Sequence, residues 1–472
     1  MSELPQSLGV LILAAGKGVR MHSGKPKLLQ PLLEEPVVYY PLNAAKTARL
    51  KNVAVLAGHK GEAIEEYVKR EWPEVEVIWQ REQLGTGHAV KSAEHWWKQF
   101  DRLLVLSGDV PLIRPETLSA MIRCFEDTAP RCVMMSFVVN DPSGYGRVVR
   151  LADGGVRIVE ECDATEEELY TQEVNGGVYL FDTTALSTVI SRLNSDNQLG
   201  EYYLTDTVQL IDDTEGDVRV MVCEDPQELL GVNTPNDLAV ASGMLNKRII
   251  GLHMRNGLKC MDPATTWIGP RVEMEPDVIL EPGVQIWGKS HLSDGCRVGA
   301  WSTLRMVRME PGATVFGPSV ISDAVIGENA EVGPVAFLRN DVKMRSGAKV
   351  GRFVEVKNST LGEGVKALHL SYLGDATIGR GTNIGAGTVT CNFNGVSKNA
   401  TSIGEDCFVG SDTMFVAPVS MGRGAATAAG SVITKDIPDG ALGIARERQT
   451  NIDGWNERNG VIRNKNGKKG DD

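Results

Sequence analysis

The chain has 472 residues, 42% apolar and 23% charged, with 51 glycines and a formal net charge of −12. That length exceeds one ordinary core and predicts two or three domains. The acidic balance argues against a nucleic-acid surface, and it requires any anionic substrate to be held by locally placed cations. No run of eighteen apolar residues and no basic-then-apolar leader occurs, so neither membrane insertion nor export is expected. The eight cysteines, at 124, 132, 162, 223, 260, 296, 391 and 407, form no C-x-x-C pair. They read as reduced thiols without a zinc site, which predicts a cytoplasmic protein.

Leu8 to Leu13 (LGVLIL) is a short apolar run of the kind buried strands carry, as are Asn52 to Ala57 and Leu103 to Leu106. Helical patterns at Pro36 to Ala48 and at Gly61 to Arg70 lie between them. The alternation predicts an α/β sheet with a ligand crevice at its strand C-termini. The first strand empties into Ala14-Ala15-Gly16-Lys17-Gly18-Val19-Arg20-Met21, followed by Pro26-Lys27. Glycines directly after a strand let backbone N–H groups cradle a phosphate, and Arg20 and Lys27 add two cations. The same turn also serves as a plain strand-to-helix connection, and it is neither G-x-G-x-x-G nor a Walker loop. Gln80 and Gln83-Leu84-Gly85-Thr86-Gly87 suit the reading of a base edge, although alone they also describe an ordinary loop. Asp109 ends the run Leu106-Ser107-Gly108-Asp109, where a carboxylate either holds Mg²⁺ against phosphate oxygens or caps a turn. Asn233-Thr234-Pro235 offers a second oxygen ligand or a helix start with proline just inside.

From Pro235 to Asn256, Leu238, Leu245, Ile249 and Ile250 recur at helical spacing, predicting a connecting helix. Beyond Cys260 the pattern changes: Ile403, Val409, Phe415, Met421, Thr427 and Ile433 recur every six residues, three of them followed directly by glycine. Six is neither a helical nor a strand period. It is the period of a parallel β-helix, in which three strand-and-corner units complete a coil and one residue per unit points inward. The same six-residue step separates Ile378 from Ile384, and other registers carry Val350, Val332, Ile326 and Val298. Flat solenoid walls favour packing of identical chains, hence a homo-oligomer. The period breaks at Leu361 to Ala376 and at Cys391 to Thr401, which predicts loops on a functional face. From Thr450 the chain is polar and glycine-rich and reads as a disordered tail or an arm on a neighbour.

Taken in order, L-x-A-A-G-x-G-x-R-M with P-K, Q-L-G-T-G-H-A, G-D-V-P-L, Gly144 to Arg147, Asn175-Gly176 and Asn233-Thr234-Pro235 resemble the nucleotidyltransferase half of a bacterial enzyme family. It is the bifunctional N-acetylglucosamine-1-phosphate uridyltransferase/glucosamine-1-phosphate acetyltransferase family. Gly362 to Ala376, Asn383 to Asn394, Phe408 to Asp412 and Ala417-Pro418 resemble its acetyltransferase half, so the likeness spans nearly the whole chain. It implies an α/β nucleotidyltransferase domain with a Rossmann-like sheet at 1–232, a linker helix at 233–258, a left-handed parallel β-helix of hexapeptide repeats at 259–449, and a polar tail at 450–472. It also implies a homotrimer acting on UTP, acetyl-CoA and amino-sugar 1-phosphates with Mg²⁺.

By this resemblance Arg20 and Lys27 neutralise the triphosphate, and Asp109 and Asn233 hold the metal. Leu13, Ala14, Gly16, Gln80, Gly85 and Thr86 hold the uridine, and Gly146, Glu160 and Asn175 the N-acetylglucosamine phosphate. In the second half His369 is the base that deprotonates the substrate amine. Arg339, Lys357, Tyr372, Asn383 and Lys398 contact the glucosamine phosphate; Ala386, Asn392, Phe393, Ser411, Ala429 and Arg446 contact acetyl-CoA. The chain departs from the family's usual residues at Val19, Ser107, Leu368, Phe393 and Asn394. The competing expectation is a monofunctional sugar-1-phosphate nucleotidyltransferase with a structural or regulatory β-helix. An inert scaffold would not need His369 and its cationic neighbours.

Overall fold

The computed structural model describes residues 7–16, 18–152 and 154–459; Lys17 of the glycine turn and residues 460–472 of the predicted tail lie outside the described residues. The chain divides into two compact units, with the boundary between Gly251 and Leu252.

The first unit is built on a twisted sheet in the order Val218–Val222, Cys132–Val138, Glu173–Asp182, Arg102–Ser107, Leu8–Ala14, Asn52–Ala57, Glu76–Trp79. Val10, Leu11 and Ile12 are wholly buried, as a parallel strand covered on both faces requires. Parallel neighbours flank this strand, with Leu13 opposite Leu56 on one side and Ser107 on the other. Helices Gly61–Glu71 and Pro235–Arg255 stand where the sequence predicts them. The predicted helix at Pro36 begins instead at Tyr39, because Pro36 is paired with Pro31 in a two-residue hairpin strand. Glu173–Asp182 runs antiparallel between Arg102–Ser107 and Cys132–Val138, and its register shifts between Asn175 and Tyr179.

The second unit is a coil of short parallel strands, left-handed and of hexapeptide repeats. One face has eleven strands, and a seventeen-stranded sheet carries the other two. Successive coils repeat every eighteen or seventeen residues: Ile268 pairs with Ile286, Ile286 with Leu304, Leu304 with Ile321, Ile321 with Leu338 and Leu338 with Val356. This column is buried throughout, and the six residues that define the sequence period are buried with it. The two breaks in the period differ. No loop leaves the coil at Leu361 to Ala376, contrary to expectation: Leu361 pairs with Ile378 at seventeen residues, and strands Lys366–His369, Tyr372–Gly374 and Ala376–Ile378 continue the walls. The break there is a corner one residue short. At Cys391 to Thr401 the coil lengthens to twenty-five, with Thr390 opposite Phe415 and Ile378 opposite Ile403, so a true loop leaves the wall. The described part of the tail ends in a short helix, Trp455–Asn459.

Candidate active sites

The three central parallel strands of the first unit end side by side, and a cavity of about 310 Å³ opens beside those ends. Leu13, Gly16, Lys27, Gln80, Gly85, Thr86 and Asp109 line it; Ala14 ends the first strand just behind. Gly108 N–H donates to Leu13 O at 3.0 Å, which sets Asp109 beside the first strand's end. Lys27 is brought in by the turn at Gly18, whose φ is +59° and whose missing Cβ would stand 2.6 Å from Lys27 Cβ; only glycine fits there.

Lys27 Nζ then donates to Asp109 Oδ2 at 2.5 Å and to Asn233 Oδ1 at 3.1 Å, and Arg20 Nη2 donates to the same Asn233 oxygen at 3.0 Å. Asn233 is held by the start of its helix: Asp237 Oδ2 accepts from Asn233 N and Thr234 N, and Thr234 Oγ1 accepts from Asp237 N. Two cations and two hard oxygen donors thus share one small volume. Among the described residues no cluster of three or more His, Cys, Asp or Glu has metal-binding spacing. Asp109 Oδ2 and Asn233 Oδ1, both engaged by Lys27 Nζ, are the hard oxygen donors of this group that could hold a divalent cation.

The Gln80 amide donates from Nε2 to Gly85 O at 3.2 Å, and Gly85 holds φ at +111° with Tyr202 O where a Cβ would be. Thr86 Oγ1 accepts from Leu204 N. The register shift in Glu173–Asp182 turns Asn175 so that its Oδ1 accepts from Gly177 N at 3.1 Å and Tyr179 OH at 2.8 Å. Asn175 N donates to Gly146 O, and a Cβ on Gly146 would meet Glu160 Oε2 at 3.3 Å, so Gly146, Glu160 and Asn175 form one group. Burial pushes the Glu160 carboxyl up, a donated hydrogen bond from Thr205 opposes this, and Asp206, Asp163 and Glu201 add to the rise. Glu201 also lines the 310 Å³ cavity, which links the two groups. The sequence reading passed over Glu201 and Thr205; the polar and aromatic run Gly200 to Asp206 is the signal that could have flagged them.

In the second unit Arg339 and Lys357 are register partners on one wall, and Arg339 forks onto Glu355 Oε1 at 3.0 and 2.7 Å. Asn392 Nδ2 reaches Tyr372 OH at 3.3 Å and Asp375 Oδ2 at 2.5 Å, and Asn358 Nδ2 reaches Asp375 Oδ1 at 2.5 Å. Burial works against the Asp375 carboxylate, yet the bonds from Asn358 and Asn392 and the charges of Lys398 and Lys357 hold it below its ordinary range. Lys398 is pushed down by the adjacent Lys357, first by direct contact and then by charge. A cavity of about 330 Å³ is lined by Asn358, Asp375 and Lys398.

Another group stacks along a corner. Gly387 N donates to Leu370 O, Asp412 N to Ala386 O, and Gly430 N to Ser411 O, so Ala386, Ser411 and Ala429 follow one another a coil apart. The Arg446 side chain lies beside Gly430, and the exposed His369 precedes Leu370 at the head of the column. Asn383 belongs to the eleven-stranded face, in register with Lys366 and Phe408, whereas Tyr372 lies in the seventeen-stranded sheet. Asn392 is therefore grouped with Tyr372 and Asp375 and not with the corner column. Phe393, exposed, bridges Lys398 across the loop that Asn394 Oδ1 closes by accepting from Val396 N and Ser397 N.

Two family patterns match the chain: "MobA-like NTP transferase domain" over residues 10–168 and "Hexapeptide repeat of succinyl-transferase" over residues 400–435. Proteins called bifunctional protein GlmU match nearly end to end. The one from Geobacter sulfurreducens is 40% identical over 471 residues, covering 96% of this chain and 99% of the relative. Those from Corynebacterium efficiens and Streptomyces coelicolor are each 42% identical, covering 96% and 94% of this chain and 95% and 93% of the relatives.

Proposed function

This chain belongs to the family of the bifunctional protein GlmU, and on that premise we propose a residue-level account of its two transferase activities. The observation that carries the account is the presence, in one chain, of two separate polar clusters: Lys27, Arg20, Asp109 and Asn233 at the strand ends of the first unit, and Lys357, Lys398, Tyr372, Asn392 and Asp375 on the walls of the second.

In the acetyl transfer, the amine of glucosamine 1-phosphate attacks the thioester carbonyl of acetyl-CoA, an amide bond forms, and CoA leaves as its thiol. An ammonium is no nucleophile, so His369 takes the proton. Arg339, Lys357 and Lys398 hold the sugar phosphate, with Tyr372 and Asn383 on the sugar. The like-charge pressure on Lys398 supports this role, because a bound phosphate would relieve it. The corner of Ala386, Ser411 and Ala429 offers small side chains along which the extended cofactor lies. Arg446 meets its phosphates, and Asn392 and Phe393 flank its reactive end.

In the uridylyl transfer, a phosphate oxygen of N-acetylglucosamine 1-phosphate attacks the α-phosphorus of UTP in line and pyrophosphate leaves. Such a displacement needs positioning and charge neutralisation more than proton transfer. Lys27 and Arg20 face the triphosphate, while Leu13, Ala14, Gly16, Gln80, Gly85 and Thr86 enclose the uridine. Gly146, Glu160 and Asn175 receive the sugar. Asp109 and Asn233 would hold Mg²⁺, which when bound neutralises phosphate charge.

We propose a homotrimer as the working assembly, with domains at 1–232 and 259–449 joined by 233–258, in a cytoplasmic setting that suits eight unpaired cysteines. Outward apolar side chains on the coil, among them Phe353, Leu370, Phe393 and Phe408, support chain-to-chain packing. Release of pyrophosphate and of free CoA, measured over a panel of nucleoside triphosphates and sugar phosphates, tests the activities. UTP and glucosamine 1-phosphate should lead their panels. For the assembly, His369→Ala chains mixed with Arg446→Ala chains should recover CoA release if sites are shared between chains. No recovery in verified mixed trimers assigns each site to one chain.

A further inference from the structure

Gln80 is 3% exposed, and its amide is tied down from two directions. Nε2 donates to Gly85 O at 3.2 Å and lies 3.0 Å from His88 Nδ1. A carbonyl oxygen can only accept, so the contact with Gly85 fixes which end of the amide carries the hydrogens. Both N–H groups of Nε2 are then committed, and His88 Nδ1 must be the acceptor, with its ring proton on Nε2. Among the described residues no protein donor reaches Gln80 Oε1. His88 itself does not line the 310 Å³ cavity. It lies on the far side of the wall, in a smaller cavity of about 240 Å³ with Leu84, Lys91, Leu193 and Tyr202.

We propose that His88 is a positioning residue for base selection: by holding Gln80 Nε2 it leaves Oε1 as the acceptor presented to the nucleobase. This rests on the uridine reading of the cavity given above. An acceptor at that place matches the N3–H of uracil and repels the N3 lone pair of cytosine, which offers no proton there. A reversed amide would present a donor and invert the preference. Gly85 O selects this orientation by taking one of the two N–H groups, and His88, accepting the other, holds the amide in it.

The test compares kcat/KM for pyrophosphate release with UTP and with CTP. His88→Leu keeps an apolar filler but removes the acceptor, and should narrow the UTP-to-CTP ratio by about tenfold, chiefly through KM for UTP. His88→Asn places an amide oxygen near the lost Nδ1 and should return the ratio to within about twofold of the starting protein. CoA release by the same preparations reports that the chains are folded. An unchanged ratio in His88→Leu, or a narrowed ratio that Asn does not restore, overturns the role of His88. A starting protein without preference for UTP over CTP overturns the uridine reading itself, and the role of His88 with it.

Discussion

Lys27 Nζ and Asp109 Oδ2 lie 2.5 Å apart, with only 13% and 24% of their side chains exposed. The pair joins the loop after the first strand to the end of the strand beside it, and Asn233 from a third element shares the ammonium. Lys27→Ala removes a cation from the triphosphate and leaves Asp109 without its partner. Pyrophosphate release should fall by about 10²- to 10³-fold. Lys27→Arg should restore little, because a planar fork cannot replace a compact ammonium where Gly18 packs directly on the residue's Cβ. Steady-state kinetics of both variants against UTP check this.

Asp206 gives a pH signature. Burial, with Asp163 adding, pushes its carboxyl from the ordinary 3.8 up to about 6. The folded state therefore binds this proton more tightly than the unfolded state. Its contribution to stability is most favourable below pH 4 and is lost as pH rises through 6. Asp206→Asn should leave Tm nearly unchanged at pH 4 and raise it progressively relative to the parent protein up to about pH 6, then by a constant amount. A Tm difference that shrinks with rising pH would be inconsistent with the buried carboxyl.

Asp375 accepts from Asn358 and Asn392 and faces Lys357 and Lys398, so its charge organises the second site. Asp375→Asn should raise KM for glucosamine 1-phosphate by about tenfold, the worth of one charge-assisted contact. Pyrophosphate release should be untouched. Parallel kinetics of CoA and pyrophosphate release on one preparation distinguish this from general damage.

The six-residue period itself makes a prediction. Phe415 is wholly buried at the inward phase, and Phe408, on a neighbouring face, is 59% exposed. Phe415→Ala should cost about 3–5 kcal/mol of unfolding free energy. Phe408→Ala should cost under about 0.5 kcal/mol in a chain held monomeric. Denaturant titration of each variant measures the difference.

That inward phase was legible because one residue per wall must fill the coil, a constraint local to each hexapeptide. The strand ends around Leu13 and Asp109 were legible for a similar reason, since apolar runs followed by glycine mark both a parallel strand and the turn after it. Buried hydroxyls were not. Ser290, Ser319, Ser359 and Thr382 accept from the N–H groups of Val307, Ala336, Ala376 and Cys407, satisfying corner backbone that the period describes only as small and polar. Nor could spacing separate Asn392 from Ala386, Ser411 and Ala429, because the twenty-five-residue coil shifts Asn392 onto the Tyr372 wall. Glu201 and Thr205 enter the first site from the polar and aromatic run that follows Gly200, and their approach to the cavity and to Glu160 is set by tertiary packing that the run's own spacing does not encode.

The central claim is that two chemistries reside on two units of one chain, and the direct measurement assays pyrophosphate and CoA release on the same preparations of Asp109→Ala and His369→Ala. Asp109→Ala should abolish pyrophosphate release and leave CoA release intact. His369→Ala should lower kcat for CoA release by about 10²- to 10⁴-fold, with KM far less affected and pyrophosphate release unchanged. Loss of both activities from either substitution, in protein that remains folded, would contradict the account.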